Sequence, residues 1–215
     1  MLDLTITKTK TPKEKPQKIT GFGTVFTDHM LVVDYSADKG WHNMRLEPYN
    51  NLALDPSACT LHYGQGVFEG LKAYRTQEGD IQLFRPRDNF LRLNRSCQRV
   101  CIPEVDVDLM LEGLLELIRL EKDWVPDEEG TSLYIRPFII ATEAFLGVRP
   151  AKEYRLYIIL SPVGAYYAEG LKPVSILVEQ HYVRAVKGGL GEAKTMANYA
   201  ASLLAHVEAK EKGYS

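Results

Sequence analysis

Two apolar runs constrain the fold of this chain more than any other feature. Ser132–Ala141 and residues 154–160 are continuous and rich in isoleucine and tyrosine. Such runs predict central strands of a sheet that are buried on both faces. Arg136 lies inside the first run, and a charge in a buried strand needs a partner, a ligand or an edge open to water. Structural pairing and a functional role are both open for this arginine.

Shorter strands are predicted before the first helix. The alternating pattern predicts strands over residues 23–27 and 29–35, joined as a β-meander. A further strand is predicted over residues 66–75, with a partner over residues 80–84 across a glycine turn.

Two amphipathic helices are predicted between these strands and the apolar runs. Arg85 and Pro86 open the first, with Asp88 as its N-cap and apolar residues at helical spacing after it. Asp106 is the predicted N-cap of the second helix, which ends before Pro126. This mixture of strands and helices predicts a fold class of α+β / α/β.

The chain is predicted to divide into a flexible arm, a small N-terminal α+β domain, a linker and the start of a second domain. The arm carries five lysines and two prolines over residues 8–18 with no aliphatic residue, so it has nothing to bury. In the second domain we expect a strand over residues 174–178 and a helix over residues 197–212. The four segments are residues 1–20, 21–162, 163–173 and 174–215.

Composition favours a globular cytoplasmic enzyme. The chain has 215 residues, 45% of them hydrophobic, and a net charge of -2, which gives no reason to expect nucleic acid or an anionic membrane as partner. It contains no apolar run long enough for a membrane span and no hydrophobic signal core.

Its three cysteines are expected to be reduced. Cys97 and Cys101 have a spacing that a metal would accept, but core packing is favoured.

Residues 187–202, with the sequence KGGLGEAKTMANYAAS, place Lys194 between a glycine-rich turn and a predicted helix start. A lysine amine is protonated at neutral pH, and Schiff-base chemistry needs the neutral form. A helix N-terminus disfavours a nearby cation and favours a phosphate, so one place can serve a reactive amine and an anionic cofactor. A solvated surface lysine remains the alternative, while a P-loop lacks the required spacing.

Six motifs occur in one order from residue 22 to the end of the chain. They are FGTVFTDHM at 22–30, LHYGQGVFEGLKAYR at 61–75, FRPRDNFLRLNRS at 84–96, SLYIRP at 132–137, LGV at 146–148 and GGLGEAKTMANYAASL at 188–203. Together they resemble the branched-chain amino acid aminotransferases, which are pyridoxal 5'-phosphate (PLP) enzymes of fold type IV.

The resemblance implies a cofactor site with three residues. Lys194 matches the lysine that forms the Schiff base with PLP and moves the proton. Tyr199 matches the tyrosine that hydrogen-bonds the ring oxygen of the cofactor. Arg92 matches the arginine that grips the phosphate, a role that suits a bidentate guanidinium.

The resemblance also implies a substrate pocket shared by the two subunits of a homodimer. Phe22, Phe68 and Tyr134 match pocket walls, and Arg136 matches a position near the substrate carboxylate. The implied substrates are L-leucine, L-isoleucine or L-valine, with 2-oxoglutarate as amino-group acceptor, in amino-acid biosynthesis. The residues that match side chains reaching into the neighbouring active site are Tyr63, Leu146 and Val148.

Two departures from the family pattern accompany these matches. The family usually carries glycines where this chain has Met196 and Ala197. The family also continues well beyond Ser215, which implies a complete small domain, an incomplete large PLP-binding domain, and little or no transaminase activity for these 215 residues by themselves. Four alternatives stay open: a D-amino acid aminotransferase, an aminodeoxychorismate lyase, a non-catalytic fragment with a structural or dimerising role, and phosphate binding by the glycine turn without PLP.

Overall fold

The computed structural model describes residues 3–16, 18–19, 21–164 and 173–214. Within these ranges the chain forms eight strands, five α-helices and a short 3-10 helix at Lys122–Trp124. The strands are β1 Thr5–Ile6, β2 His29–Ser36, β3 Gly40–Pro48, β4 Gly66–Phe68, β5 Leu71–Arg75, β6 Ile81–Leu83, β7 Ser132–Ala141 and β8 Glu153–Val163. The helices are α1 Cys59–Tyr63, α2 Pro86–Arg99, α3 Val107–Leu120, α4 Met196–Ala200 and α5 Leu203–Glu211.

The described strands form one mixed sheet in the order β1-β3-β2-β8-β7-β5-β6, with β4 also paired to β7. β7 and β8 pair antiparallel along their whole contact, from Ser132 opposite Val163 to Ala141 opposite Tyr154. The β1–β3 pair is parallel. The prediction that the two apolar runs form central strands is confirmed.

The prediction that β7 is buried on both faces is only partly correct. Leu133, Ile135 and Ile139 are fully buried against helices α2 and α3. Tyr134 and Arg136 alternate with them and are half-buried on the opposite face. An apolar run of this composition does not distinguish a two-sided core strand from one whose second face lines a site.

The two helices begin at different kinds of residue. The Asp106 side chain accepts a hydrogen bond from Leu109 N–H at 3.0 Å, which confirms it as the N-cap of α3. Asp88 is not the N-cap of α2, because that helix begins at Pro86 and Asp88 lies in its first turn. Proline at the first helical position lacks only an N–H that would be unpaired there, so the helix begins earlier than the acidic residue indicates.

The predicted strand over residues 66–75 is broken into β4 and β5. Each half pairs with β7, but Glu69 and Gly70 between them do not continue the ladder. Glu69 N–H donates to Pro137 O at 2.8 Å, and Pro137 has no N–H to return the bond. The proline in β7 therefore interrupts the pairing and places Glu69 at a junction.

The N-terminal arm is docked, whereas its composition predicts a flexible segment. Besides β1, the contacts run through the main chain and lysine ends: Thr9 N–H donates to His29 Nε2 at 2.8 Å, and Lys13 Nζ donates to Thr27 O at 2.8 Å. His29 Nδ1 donates to Glu121, a carboxyl group whose pKa is raised by burial. The composition of the arm shows that it has no apolar side chains to bury, but it does not reveal these polar contacts.

The C-terminal part differs more from its prediction. Residues 174–178 form no strand, and Val174, Ile176 and Val178 are exposed, since nothing in the described residues pairs with them. The predicted helix over residues 197–212 is divided into α4 and α5. The predicted linker falls largely on residues 165–172, which lie outside the described residues, and the domain boundaries stay predictions.

None of the described helices combines the length and apolar content needed to cross a membrane.

Candidate active site

The main chain at Lys194 is fixed between the sheet and helix α2. Phe68 N–H donates to Lys194 O at 3.0 Å, and Lys194 N–H donates to Ser96 Oγ at 2.9 Å. Thr195 forms an isolated bridge with Val67 of β4. These bonds from two separate elements determine where the lysine side chain begins.

Two polar side chains hold the neighbouring turns. Thr195 Oγ1 donates to Gly66 O at 2.7 Å, so it does not cap α4. Asn198 Nδ2 donates to Leu190 O at 2.7 Å and to Ala193 O at 2.6 Å, which ties the glycine-rich turn to α4. Both side chains are buried. Sequence reasoning missed them because their partners are backbone carbonyls.

The Lys194 amine lies among aromatic groups. Its Nζ donates to Tyr199 Oη at 2.8 Å and lies 4.7 Å from the ring centroid of Phe68. Helix α4, whose N-terminus was expected to disfavour a cation here, has only five residues. The contacts that hold this amine are therefore the Tyr199 hydroxyl oxygen and the ring face of Phe68, and not the helix end.

Arg136 contacts the same phenylalanine ring. Its guanidinium carbon is 4.7 Å from the Phe68 ring centroid, and its Nη2 donates to Tyr134 Oη at 2.8 Å. Phe22 packs edge-on against Tyr134 with centroids 4.7 Å apart. Among the described residues no carboxylate pairs with Arg136. The guanidinium is thus placed by aromatic groups and keeps its capacity for an anion.

Arg92 extends from α2 toward the β4–β5 junction. Its Nε and Nη2 donate to the two carboxylate oxygens of Glu69 at 2.7 and 2.8 Å. The hydrogen bond to Glu69 raises the pKa of Arg92, and a smaller contribution comes from nearby Tyr199. Sequence reasoning missed Glu69, although an acid inside a predicted strand is the same kind of signal that singled out Arg136.

The structure therefore brings together seven of the ten residues predicted from sequence. They are Phe22, Phe68, Arg92, Tyr134, Arg136, Lys194 and Tyr199.

The remaining three predicted residues form a second group. Tyr63 Oη donates to the backbone oxygen of Leu146, and Val148 is 87% exposed. In the described part of the chain, no hydrogen bond or ring contact joins this group to Lys194. Tyr63 and Val148 line a separate cavity of about 470 Å³ that also includes Thr195 and Ala197.

Core packing, which the sequence favours for Cys97 and Cys101, is confirmed for Cys97 but is wrong for Cys101. Cys97 is buried on α2, and burial raises the pKa of its thiol to about 12. Cys101 is exposed. No cluster of three histidine, cysteine or acidic residues able to hold a metal occurs among the described residues.

With this geometry in place, comparison with known proteins defines the class. Residues 66–215 match the class IV amino-transferase family, and the chain belongs to that family. Among curated proteins, it is 59% identical over 210 residues to branched-chain-amino-acid aminotransferase 2 of Bacillus subtilis (strain 168), covering 98% of this chain and 58% of that protein. Branched-chain-amino-acid transaminase 1 of the same organism is 59% identical over 209 residues, covering 96% of this chain and 59% of that protein.

Solved structures agree with this assignment. A branched-chain aminotransferase from Thermoproteus uzoniensis, crystallised with norvaline, superposes with a TM-score of 0.70 and 25% identity, over 86% of this chain and 58% of that one. A second branched-chain amino acid aminotransferase, crystallised with pyridoxamine 5'-phosphate, gives a TM-score of 0.68 and 26% identity, over 86% and 57%. The expected fold type IV architecture is confirmed. The chain spans less than two thirds of the length of these relatives.

Proposed function

We propose that the protein carrying this chain is a PLP-dependent branched-chain amino acid aminotransferase. It transfers the amino group of L-leucine, L-isoleucine or L-valine to 2-oxoglutarate, which yields the corresponding 2-oxo acid and glutamate. The observation that carries the proposal is the Lys194 amine, which lies 2.8 Å from the Tyr199 hydroxyl beside Phe68 and Arg136. The named relatives support the same substrate class.

The residues present fit the cofactor. An amine and a phenol that already share a hydrogen bond suit an aldehyde carbon and its neighbouring ring oxygen, which assigns Lys194 and Tyr199 to those atoms. Arg92 is the group for the phosphate, because its side chain is 48% exposed and its Nη1 has no hydrogen-bond partner among the described residues. When bound, PLP supplies the electron sink for the electrons of the broken Cα–H bond.

Proton movement falls to Lys194. Its Nζ is the base for the Cα proton of the amino acid, a general acid–base role that a positioned amine can perform. Tyr199 Oη restrains the amine through its hydrogen bond, and the Phe68 ring covers one side of it. These contacts support the assignment of the three residues to one site.

The aromatic side chains and Arg136 account for two unlike substrates. Phe22, Phe68 and Tyr134 offer apolar surface to a branched aliphatic side chain, which is stabilised by about 25 cal/mol per Å² of buried area. Arg136, without a carboxylate partner in the described chain, suits a substrate carboxylate. One pocket can then accept a branched-chain amino acid and a dicarboxylate in turn.

The second group of residues supports a homodimer. Tyr63, Leu146 and Val148 are exposed together, and three apolar side chains at one surface favour contact with another chain. We propose that the contact is a second copy, whose active site they approach. The cytoplasmic location and biosynthetic role stay predictions from sequence.

A turnover assay tests the proposal. We expect the whole protein that carries this chain, once purified, to convert L-leucine and 2-oxoglutarate to glutamate and the 2-oxo acid of leucine, and its Lys194→Ala variant to be inactive. Parallel assays with D-alanine separate the branched-chain reaction from that of a D-amino acid aminotransferase. Activity on D-alanine alone would contradict the substrate assignment, and equal activity of the Lys194→Ala variant would contradict the catalytic one.

A further inference from the structure

A buried carboxylate lies beside the proposed cofactor site. Glu69 is 0% exposed and directly follows Phe68, whose ring contacts the Lys194 amine. An ionised carboxylate is rarely buried without full pairing, because its hydration is lost. The contacts of Glu69 therefore indicate what the residue is for.

Four donors satisfy this carboxylate. Arg92 Nε donates to Oε1 at 2.7 Å, and Arg92 Nη2 donates to Oε2 at 2.8 Å. Asn89 Nδ2 and the N–H of Gly70 each donate to Oε2 at 3.1 Å. The two bonds from Arg92 form a bidentate fork, which fixes the plane of the guanidinium as well as its distance.

The fork leaves one edge of the arginine available. Nη1 takes no part in the pair and has no hydrogen-bond partner among the described residues, and the side chain is 48% exposed. A guanidinium held along one edge presents the other edge in one direction. A long side chain held in this way loses less conformational entropy when it binds an anion.

We propose that Glu69 is a positioning residue that orients Arg92 toward the phosphate of the cofactor. The inference rests on the proposed function, which places PLP at Lys194. Glu69 also carries a negative charge, which by itself disfavours an incoming phosphate. Removing the charge should weaken phosphate binding if orientation matters more, and should strengthen it if repulsion matters more. We infer that orientation matters more, because solvent at the open edge of Arg92 weakens the repulsion between Glu69 and the phosphate.

The Glu69→Gln variant tests this inference with two ligands. We expect the dissociation constant for PLP, measured by titrating the imine absorption of the protein freed of cofactor, to rise roughly tenfold, since a charge-assisted bond is lost. Pyridoxal has the same aldehyde and ring but no phosphate, so its dissociation constant should be unchanged. The matched control Glu192→Gln, an exposed acid two residues before Lys194, should change neither value.

Each other outcome has a defined meaning. Unchanged or tighter PLP binding by Glu69→Gln overturns the inference, and so does an equal loss for both ligands, which is the result of a purely structural role. In an Arg92→Lys background, Glu69→Gln should add no further loss, because a lysine offers no fork to orient. A further loss there overturns the inference.

A second variant covers a failure of Glu69→Gln to fold. Asn89→Ala removes one bond to Glu69 and should produce a smaller loss that is likewise confined to PLP; no loss, or a loss shared with pyridoxal, overturns the inference. A wild-type protein that forms no imine with either ligand overturns the proposed function itself, and that result is distinct from all of these.

Discussion

At the scale of single residues, the site is arranged around the ring of Phe68. Lys194 Nζ and the guanidinium of Arg136 each lie 4.7 Å from its centroid. Each cation also donates a hydrogen bond to a tyrosine hydroxyl, at Tyr199 and Tyr134. The ring thus contacts both groups, each in the geometry of a cation–π interaction. Through these two contacts, the ring fixes the position of the proposed base, Lys194, relative to the proposed carboxylate-binding residue, Arg136.

Replacement of Tyr199 by phenylalanine tests the hydroxyl next to the amine. The change removes only the oxygen that accepts from Lys194 Nζ, so PLP affinity should fall by roughly a factor of ten or less, the worth of one hydrogen bond. Titration of the imine absorption measures the loss. Tyr182→Phe is the control, because Tyr182 is similarly exposed and has not been placed in the site. Equal affinity of the Tyr199→Phe and Tyr182→Phe variants would remove Tyr199 from the cofactor site.

The residue-scale features differ in how far sequence predicts them. Lys194 and Tyr199 are five residues apart, so a local motif carries both of them and their contact. The Glu69–Arg92 pair joins residues 23 apart on different elements. Its geometry depends on the break between β4 and β5, which no local pattern indicates.

At the scale of elements, one carboxylate connects three adjacent strands. Asp34 of β2 accepts from Arg45 of β3 at 2.8 Å and from Arg155 of β8 at 2.7 Å. Burial alone would raise the pKa of Asp34, but the hydrogen bond from Asn43 and the charge of Arg45 lower it below its usual value. The lowered pKa means that the fold favours the charged form.

The Asp34→Asn variant should therefore lower the free energy of unfolding by about 1 kcal/mol at neutral pH. A depressed carboxyl pKa contributes stability that is present above the unfolded value, near 3.9, and is lost as pH falls through the folded one. The difference between the variant and the wild type should shrink below about pH 4. Urea unfolding across that range measures it, with Asp80→Asn at an exposed turn as control. A difference that does not vary with pH would contradict the charge argument.

Elements were predictable where the signal is local. Strand β7 has the predicted bounds, and the N-cap of α3 was identified because its partner lies three residues away. The pairing of the arm with the sheet was not predictable, because its strand β1 pairs with β3, which lies far along the chain. The strand expected at residues 174–178 has no partner in the described part of the chain, and a strand without a neighbour does not form.

At the scale of the whole molecule, the exposed group around Val148 bears on assembly. Replacing Val148, which is 87% exposed, by aspartate leaves the buried core untouched. If this surface meets a second copy, an unpaired charge there should convert dimers to monomers, because burying it without a partner is costly. Sedimentation velocity measures the change, with Leu115→Asp on the surface of α3 as control. A Val148→Asp variant that remains dimeric would place the interface elsewhere.

The identity of the lysine that carries the cofactor decides the proposed function most directly. The protein is incubated with PLP, reduced with borohydride, digested, and its peptides are analysed by mass spectrometry. We expect the phosphopyridoxyl group on the peptide that contains Lys194, and no such label in the Lys194→Ala variant. A wild-type protein that remains unlabelled, or a label spread over exposed lysines such as Lys187 and Lys210, would contradict the assignment of Lys194.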